Sequence, residues 1–184
     1  AASVDFEHTF RNSGLTALPA GLDMSKGDVF INTFKECASL TTIGSGVLLG
    51  TASTNVDFTS AFRSTALTAL PAGLDLSQGD TFTSAFRETA LTTIGTGVLL
   101  GTAHAAASVD FTNAFRTCTA LESLPAGLDL SKGDAFYAAF YGCTNLATIG
   151  SGVLLGTAAS NVDFGYAFYN SGLTALPAGL DLSQ

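Results

Sequence analysis

Carboxylate and hydroxyl side chains recur at a fixed spacing in three stretches of this chain. The first stretch, 23–28, reads Asp-Met-Ser-Lys-Gly-Asp, and similar sequences occupy 75–80 and 129–134. Oxygen donors at alternate positions followed by glycine are typical of calcium loops, because calcium takes about six to eight oxygen ligands in flexible geometry. The candidate calcium ligands are Asp23, Ser25, Asp28, Asp75, Ser77, Asp80, Asp129, Ser131 and Asp134.

The calcium pattern is incomplete, and a turn is the alternative that the residues favour. Glycine stands fifth instead of sixth, the bidentate glutamate of a calcium loop is missing, and Lys26 or Lys132 would repel the ion. Asp and Ser side chains in such a segment can bond to backbone N–H groups and cap the element that follows. The turn interpretation predicts no metal and no cofactor.

The tyrosines form a second candidate site. All four lie in the C-terminal part of the chain. Tyrosine offers a large contact area at a low cost in conformational entropy, so this region is the predicted contact surface for a partner. The candidate binding residues are Tyr137, Tyr141, Tyr166 and Tyr169.

Several classes of function are disfavoured by composition and motifs. The net charge is -8 with only seven Lys and Arg, which argues against binding to nucleic acid. The longest apolar runs, such as 46–50, fall far short of the roughly 18 residues of a membrane-spanning helix. The two histidines, His8 and His104, occupy unrelated positions and have no catalytic partner at a recurring spacing. We therefore expect no enzyme, no nucleic-acid partner and no membrane insertion by this segment.

The elements that position these residues are repeats built on pairs of phenylalanine. Each pair has the spacing Phe-x3-Phe, and seven pairs use all 14 phenylalanines of the chain. Such self-similarity is typical of a solenoid, in which each unit buries its apolar face against its neighbours. Successive units are 24 to 29 residues long, and short units containing proline alternate with long units that have glycine instead. The pairs are Phe6/Phe10, Phe30/Phe34, Phe58/Phe62, Phe82/Phe86, Phe111/Phe115, Phe136/Phe140 and Phe164/Phe168.

The spacing within a unit predicts one short helix and one short strand. Phenylalanines at i and i+4 share a helical face, and an aspartate one or two residues earlier suits a helix N-terminus. The segments Leu-Thr-Ala-Leu and Leu-Thr-Thr-Ile then favour a strand, which Pro19 or Gly44 ends. The predicted fold is an α/β solenoid similar to leucine-rich repeats, with one short parallel strand and one short helix per 24–29-residue unit and about seven units.

Two further columns of residues follow from the repeat. Cys37, Cys118 and Cys143 share a position with Ser and Thr of other units, which predicts a buried slot for small side chains; a Cys118–Cys143 disulfide is the alternative. A second column, directly after the second Phe, is predicted to form solvated ion pairs, with binding of an acidic sugar or other partner as the alternative. This column holds Arg11, Lys35, Arg63, Arg87, Arg116, Tyr141 and Tyr169.

The order of residues within a unit resembles that of BspA-type leucine-rich repeats. Residues 139–149, Ala-Phe-Tyr-Gly-Cys-Thr-Asn-Leu-Ala-Thr-Ile, carry the resemblance, which extends over the whole chain. The pattern is also similar to the Phe-rich repeats of mycoplasma-type surface lipoproteins. The resemblance implies an α/β solenoid that serves adhesion and protein binding at cell surfaces, without catalytic residues.

These observations lead to one expected function and one alternative. We expect residues 1–184 to form a single repeat solenoid, uncapped at both ends and part of a longer array. Its expected role is non-enzymatic adhesion or binding of protein or glycan, extracellular or at a cell or virion surface. The alternative is a structural spacer, filament or virion component in which solenoids stack end to end on copies of themselves.

Overall fold

The chain is a parallel β-solenoid of about six turns. The structure is a computed structural model that describes residues 3–104 and 108–182. Within these ranges no helix is present, and therefore none that could cross a membrane. We call each winding a coil and number coils 1 to 7 by their Phe pairs; odd coils are short and contain proline, and even coils are long.

A complete coil contributes three short strands instead of the single strand predicted. Their bounds within the described residues are β1 (Val4–Asp5), β2 (Ala17–Leu18), β3 (Asp23–Met24), β4 (Gly27–Val29), β5 (Thr42–Ile43), β6 (Leu48–Leu49), β7 (Val56–Asp57), β8 (Ala69–Leu70), β9 (Asp75–Leu76), β10 (Gly79–Thr81), β11 (Thr93–Ile94), β12 (Leu99–Leu100), β13 (Val109–Asp110), β14 (Ser123–Leu124), β15 (Asp129–Leu130), β16 (Gly133–Ala135), β17 (Thr148–Ile149) and β18 (Leu154–Leu155). The predicted strand after the Phe pair is confirmed in coils 1 to 6 by β2, β5, β8, β11, β14 and β17, whereas coil 7 has no strand at this position.

The three strand positions differ in how far their sheets extend. The strands that precede the Phe pairs form one parallel six-stranded sheet, ordered β1-β4-β7-β10-β13-β16, and an Ala135–Asp163 bridge extends it to coil 7. The other two positions form only two-stranded sheets, each joining a short coil to the long coil after it, as in β2–β5 and β3–β6. The alternation of unit lengths in the sequence is therefore also an alternation in strand pairing.

The predicted helix around each Phe pair is wrong, because the backbone there forms consecutive turns. In coil 1 the N–H groups of Thr9 and Ser13 donate to the carbonyls of Phe6 and Phe10, both at 3.1 Å. The residues at the third turn position, His8 and Asn12, have φ of 56° and 55°, which a right-handed helix does not contain. Two turns of this kind also return every fourth side chain to one side, so the i, i+4 pattern alone does not distinguish them from a helix.

Hydrogen bonds between coils hold these turns in register. The N–H groups of Phe6 and Phe10 donate to the carbonyls of Val29 and Thr33 in coil 2, at 2.8 and 2.9 Å. Four of the seven aspartates predicted to start helices cap the turns instead: Oδ1 of Asp5 accepts the N–H of Glu7 at 2.7 Å, and Asp57, Asp110 and Asp163 repeat the arrangement. The carboxylates thus satisfy backbone donors, but at a turn.

The paired phenylalanines form two continuous ring stacks through the centre. Rings of adjacent coils lie 5.1 to 5.7 Å apart between centroids, with interplanar angles of 3° to 29°. In coils 2 to 6 every Phe is at most 1% exposed, and those of coils 1 and 7 are partly buried. The prediction that the Phe pairs form the core is confirmed.

The cysteine column is a slot for small side chains that also donate a hydrogen bond. The thiols of Cys37, Cys118 and Cys143 donate to the carbonyls of Phe10, Phe86 and Phe115, at 3.0 to 3.1 Å. In other coils Thr65 and Thr89 donate to phenylalanine carbonyls from the same position. All three cysteines are buried and free, so the alternative of a Cys118–Cys143 disulfide is wrong.

We expect the three thiols to react with DTNB only after the protein unfolds. Burial raises the pKa of Cys118 to about 11 and also raises the pKa of Cys143, so at pH 8 both are protonated as well as inaccessible. Titration in buffer and then in concentrated guanidinium chloride measures this. Rapid labelling of Cys118 or Cys143 in the folded protein would contradict the burial.

At the second and third strand positions, strand pairing is interrupted between each long coil and the short coil that follows, and we call this interruption the seam. The sheet that precedes the Phe pairs and the ring stacks continue across it. In the long coil, Gly44 donates its N–H to the carbonyl of Leu18 at 2.8 Å, and Gly95 and Gly150 donate in the same way. The short coil has Pro71 or Pro125 at this position, and proline has no N–H to continue the ladder. No backbone hydrogen bond joins β6 to β9 or β12 to β15 across the seam.

Amide exchange is expected to reveal the seam. Asp75 and Leu99 occupy equivalent positions, but only Leu99 donates its N–H to a neighbouring coil, at 3.0 Å to the carbonyl of Leu74. We expect a lower protection factor at Asp75 than at Leu99, and likewise at Asp129 than at Leu154, because amides without an acceptor exchange from the native state. NMR-detected exchange tests this, and equal protection within both pairs would contradict it.

Candidate binding surface

The four predicted tyrosines come together on the outer side of the Phe turns in coils 6 and 7. Tyr141 stacks on Tyr169 with centroids 5.2 Å apart, and Tyr166 contacts both Tyr137 and Tyr169 edge to face at 5.7 and 5.8 Å. Tyr137, Tyr166 and Tyr169 are 43%, 58% and 57% exposed, and Tyr141 is half-buried. We call these four residues the tyrosine patch.

The backbone beneath the patch is adapted to these rings. Tyr166 has φ of 56°, a left-handed conformation that is unusual for a bulky side chain; other coils have His, Asn, Ser or Ala at this position. Gly165 leaves room for its neighbour, because a Cβ there would lie 3.0 Å from the ring of Tyr137. Because the position of Tyr166 has φ of 53° to 57° in all seven coils, the left-handed backbone belongs to the repeat, and the bulky side chain that it carries is particular to coil 7.

Arg116 extends the patch into coil 5. Its guanidinium carbon lies 4.7 Å from the centroid of the Tyr141 ring, a cation–π contact. Its Nη1 donates to Oδ1 of Asn113 at 3.2 Å. Among the residues that the structure describes, Arg116 makes no ion pair. The sequence placed Arg116 in the basic column but did not indicate this contact.

The earlier members of the basic column are ion-paired. Arg11 and Lys35 lie 3.1 and 4.0 Å from Glu36. Arg63 and Arg87 lie 3.4 and 2.8 Å from Glu88, which also accepts a hydrogen bond from Ser64 at 3.0 Å. Each glutamate therefore forms ion pairs with two basic side chains.

The acidity of Glu88 follows from these neighbours. Partial burial acts to raise the pKa of Glu88, but hydrogen bonds from Ser64 and Arg87 and the charges of Arg87 and Arg63 outweigh it and lower the pKa below the ordinary 4.5. A depressed carboxylate pKa contributes stability above the pKa of the unfolded chain, and that stability is lost as the pH falls through the folded value.

We expect the replacement Glu88→Gln to lower the melting temperature at pH 7 and to have progressively less effect as the pH falls through the lowered pKa of Glu88 in the folded protein. The difference between the two proteins should shrink as the pH falls below 4.5. Thermal unfolding followed by circular dichroism from pH 7 to pH 2 measures it. A difference that is constant over this range would contradict the role of the Glu88 charge.

The first group of calcium candidates consists of the Asp-x-Ser pairs that begin the three segments. Oδ1 of Asp23, Asp75 and Asp129 accepts the N–H of the serine two residues later at 2.9 Å, which is the bond that the turn interpretation predicts. At the seam the serine N–H has no backbone carbonyl to bond to in the preceding coil, and the aspartate carboxylate accepts it instead. Hydrogen bonds from the side chain and backbone of Ser25 lower the pKa of Asp23 below its ordinary value.

The remaining calcium candidates lie in the strands before the Phe pairs. Asp28, Asp80 and Asp134 are half-buried in β4, β10 and β16, and Oδ1 of Asp80 is buried without a hydrogen-bond partner among the described residues. In residues 3–104 and 108–182 no cluster of three or more His, Cys, Asp or Glu side chains is arranged around a metal position. Calcium binding stays the alternative to the turn interpretation, and melting curves with and without chelator test it.

The fold and the patch together define a repeat solenoid with a localised aromatic surface. No known protein family, curated protein or solved structure matches the chain. Function therefore has to be argued from the surface itself.

Proposed function

We propose that this chain is a non-enzymatic, surface-exposed repeat protein that binds a protein or glycan, in the manner of a cell-surface adhesin or a fibre-like segment. The tyrosine patch is the observation that carries the proposal. Three of its rings are at least 43% exposed, although tyrosine is absent from the same positions in coils 1 to 5. The resemblance to BspA-type leucine-rich repeats supports an extracellular or cell-surface setting, or a virion surface.

Variants that copy other coils provide a matched test. Tyr137→Thr and Tyr166→Asn introduce residues that coils 3 and 5, respectively, have at those positions. Asparagine also tolerates the left-handed backbone at 166, so the double variant should fold. We expect the parent protein to give hits on a glycan array or in a pull-down with cell-surface proteins, and the double variant to lose them. Absence of any interaction by the folded parent protein would contradict the proposal.

The alternative is a structural spacer or filament built from solenoids stacked end to end. The uniform ring stacking, 5.1 to 5.7 Å in all coils, favours it because a spacer requires uniform repeats. Light scattering and negative-stain microscopy at increasing concentration test this candidate. Monomers alone at high concentration would count against it.

A further inference from the structure

The charge of this chain is unevenly distributed around the solenoid. Five of its seven Lys and Arg residues occupy the column directly after the second Phe, and only two glutamates, Glu36 and Glu88, pair with them. The side chains of this column and their paired glutamates therefore carry a net positive charge, although the net charge of the whole chain is -8. A negatively charged ligand is therefore attracted to this column, which lies on the side of the solenoid that bears the tyrosine patch.

Arg116 is the cation in this column best placed to hold such a ligand. The carboxylates of Glu36 and Glu88 already occupy the other four basic side chains. The guanidinium of Arg116 has five N–H donors, and the structure assigns one side-chain bond to them, to Asn113. Its contact with Tyr141 holds the guanidinium beside the tyrosine patch, where its remaining N–H groups can donate to a carboxylate or sulfate group.

The tyrosines next to Arg116 suit sugar rings. A pyranose ring has an apolar C–H face and a rim of hydroxyl groups, and tyrosine has a matching apolar face and a polar tip. Tyr141 lies between the guanidinium of Arg116 and the ring of Tyr169, so both of its faces are covered and its phenolic hydroxyl is the group available to a sugar. The ring surface that a sugar can contact belongs to Tyr137, Tyr166 and Tyr169, which are at least 43% exposed. A cation beside exposed aromatic rings and phenolic hydroxyls matches a sugar that carries an acidic group.

We propose that Arg116 and the tyrosine patch form a binding site for an acidic glycan, with its carboxylate or sulfate on Arg116 and its sugar rings on the tyrosines. The inference rests on the proposed binding function and narrows it to one ligand class. Glu36 and Glu88 interrupt the basic column, so the surface favours a sparsely charged glycan over a continuous polyphosphate such as nucleic acid.

Tyrosine fluorescence provides a readout confined to this site. The chain has no Trp, and all four of its Tyr residues belong to the patch. The probes are short oligosaccharides of hyaluronan, which has one carboxylate per disaccharide, of chondroitin sulfate, and of neutral chitin at matched length. We expect the acidic probes to change the fluorescence in a saturable way that weakens with added salt, and the chitin probe to bind at least about tenfold more weakly.

Two variants of equal net charge separate a local role of Arg116 from a general effect of charge. Arg116→Gln should weaken binding of the acidic probes about tenfold or more, because a charge-assisted hydrogen bond is lost. Lys26→Gln, in coil 1, should leave their affinity within about twofold, since exposed charges beyond a Debye length are screened. Comparison of chondroitin sulfate with desulfated chondroitin, which keeps the carboxylate and the sugar backbone, then shows whether the sulfate contributes to binding.

The outcomes also separate this inference from the proposed function. Equal affinity for chitin, equal losses in the two variants, or preferential binding of an acidic peptide or a single-stranded oligonucleotide would each overturn the acidic-glycan site. Binding to proteins in the pull-down without binding to any glycan would also overturn the acidic-glycan site, but it would leave the proposed binding function intact. Failure of the folded protein to bind any glycan or protein would overturn both.

Discussion

Replacement of Phe86 by alanine is expected to lower the free energy of unfolding by about 3–5 kcal/mol. The ring is 1% exposed and lies between the rings of Phe62 and Phe115, at centroid distances of 5.7 and 5.2 Å. Alanine leaves a cavity in the middle of one ring stack and removes two aromatic contacts. The neighbouring coils cannot close this cavity without breaking the hydrogen bonds that set their separation, such as Phe86 N–H to the carbonyl of Ala114 at 2.8 Å.

Two threonines of the same coil serve as graded controls. Thr83→Ala removes a hydrogen bond from Oγ1 to Oδ2 of Asp110 at 2.7 Å, for which about 1.5–3 kcal/mol is expected. Thr93→Ala removes an exposed hydroxyl and should change stability by no more than about 0.5 kcal/mol. Urea unfolding followed by circular dichroism measures all three. Equal shifts of the midpoint would refute the assignment of the Phe pairs to the core.

Replacement of Gly95 by alanine should also be strongly destabilising, for a steric reason. A Cβ at this position would lie 2.5 Å from the backbone nitrogen of Ala72 and 2.7 Å from the carbonyl oxygen of Leu70. Both atoms belong to the backbone of the preceding short coil and cannot rotate away. Overpacking typically costs about 1–3 kcal/mol, and we expect the upper end of this range or more because two paired strands must separate.

Gly14 is the matched control for this substitution. No atom lies within 4 Å of a Cβ at Gly14, and its φ is not in the left-handed region. Gly14→Ala should therefore leave stability unchanged or raise it by about 0.4–1 kcal/mol, because alanine reduces the entropy of the unfolded chain. If Gly95→Ala proved as harmless as Gly14→Ala, the close approach of the long and short coils would be wrong.

The sequence was sufficient to predict the solenoid, its aromatic core and one of its strands. It was misleading for the segment around each Phe pair, where a four-residue spacing fits both a helix and a series of turns. A signal that distinguishes the two was present: six of the seven asparagines lie at positive φ. Asparagine tolerates the left-handed region and disfavours helix interiors, so its recurrence at fixed turn positions indicates turns.

The candidate surface was predicted in part. The change from Arg to Tyr in the column after the second Phe indicated the residues of the patch, since equivalent positions in a solenoid become neighbours. The cation–π contact of Arg116 and the unpaired edge at the seam could not be predicted, because both depend on the geometry between coils that are 25 or more residues apart in the chain. The sequence predicts turns at the Asp-x-Ser segments. That the aspartates there bond to serine N–H groups left without a partner at the seam follows only from the strand pairing.

The alternation of coils constrains how such an array can change in length during evolution. On the third strand of each coil the outward position holds Asp23, Leu48, Asp75 and Leu99 in turn, and leucine separates successive carboxylates. Deletion of a single long coil would place Asp23 beside Asp75, and directly opposed like charges destabilise a sheet. Recombination that removes a short and a long coil together avoids this conflict, so loss of whole doublets should be tolerated better than loss of a long coil alone.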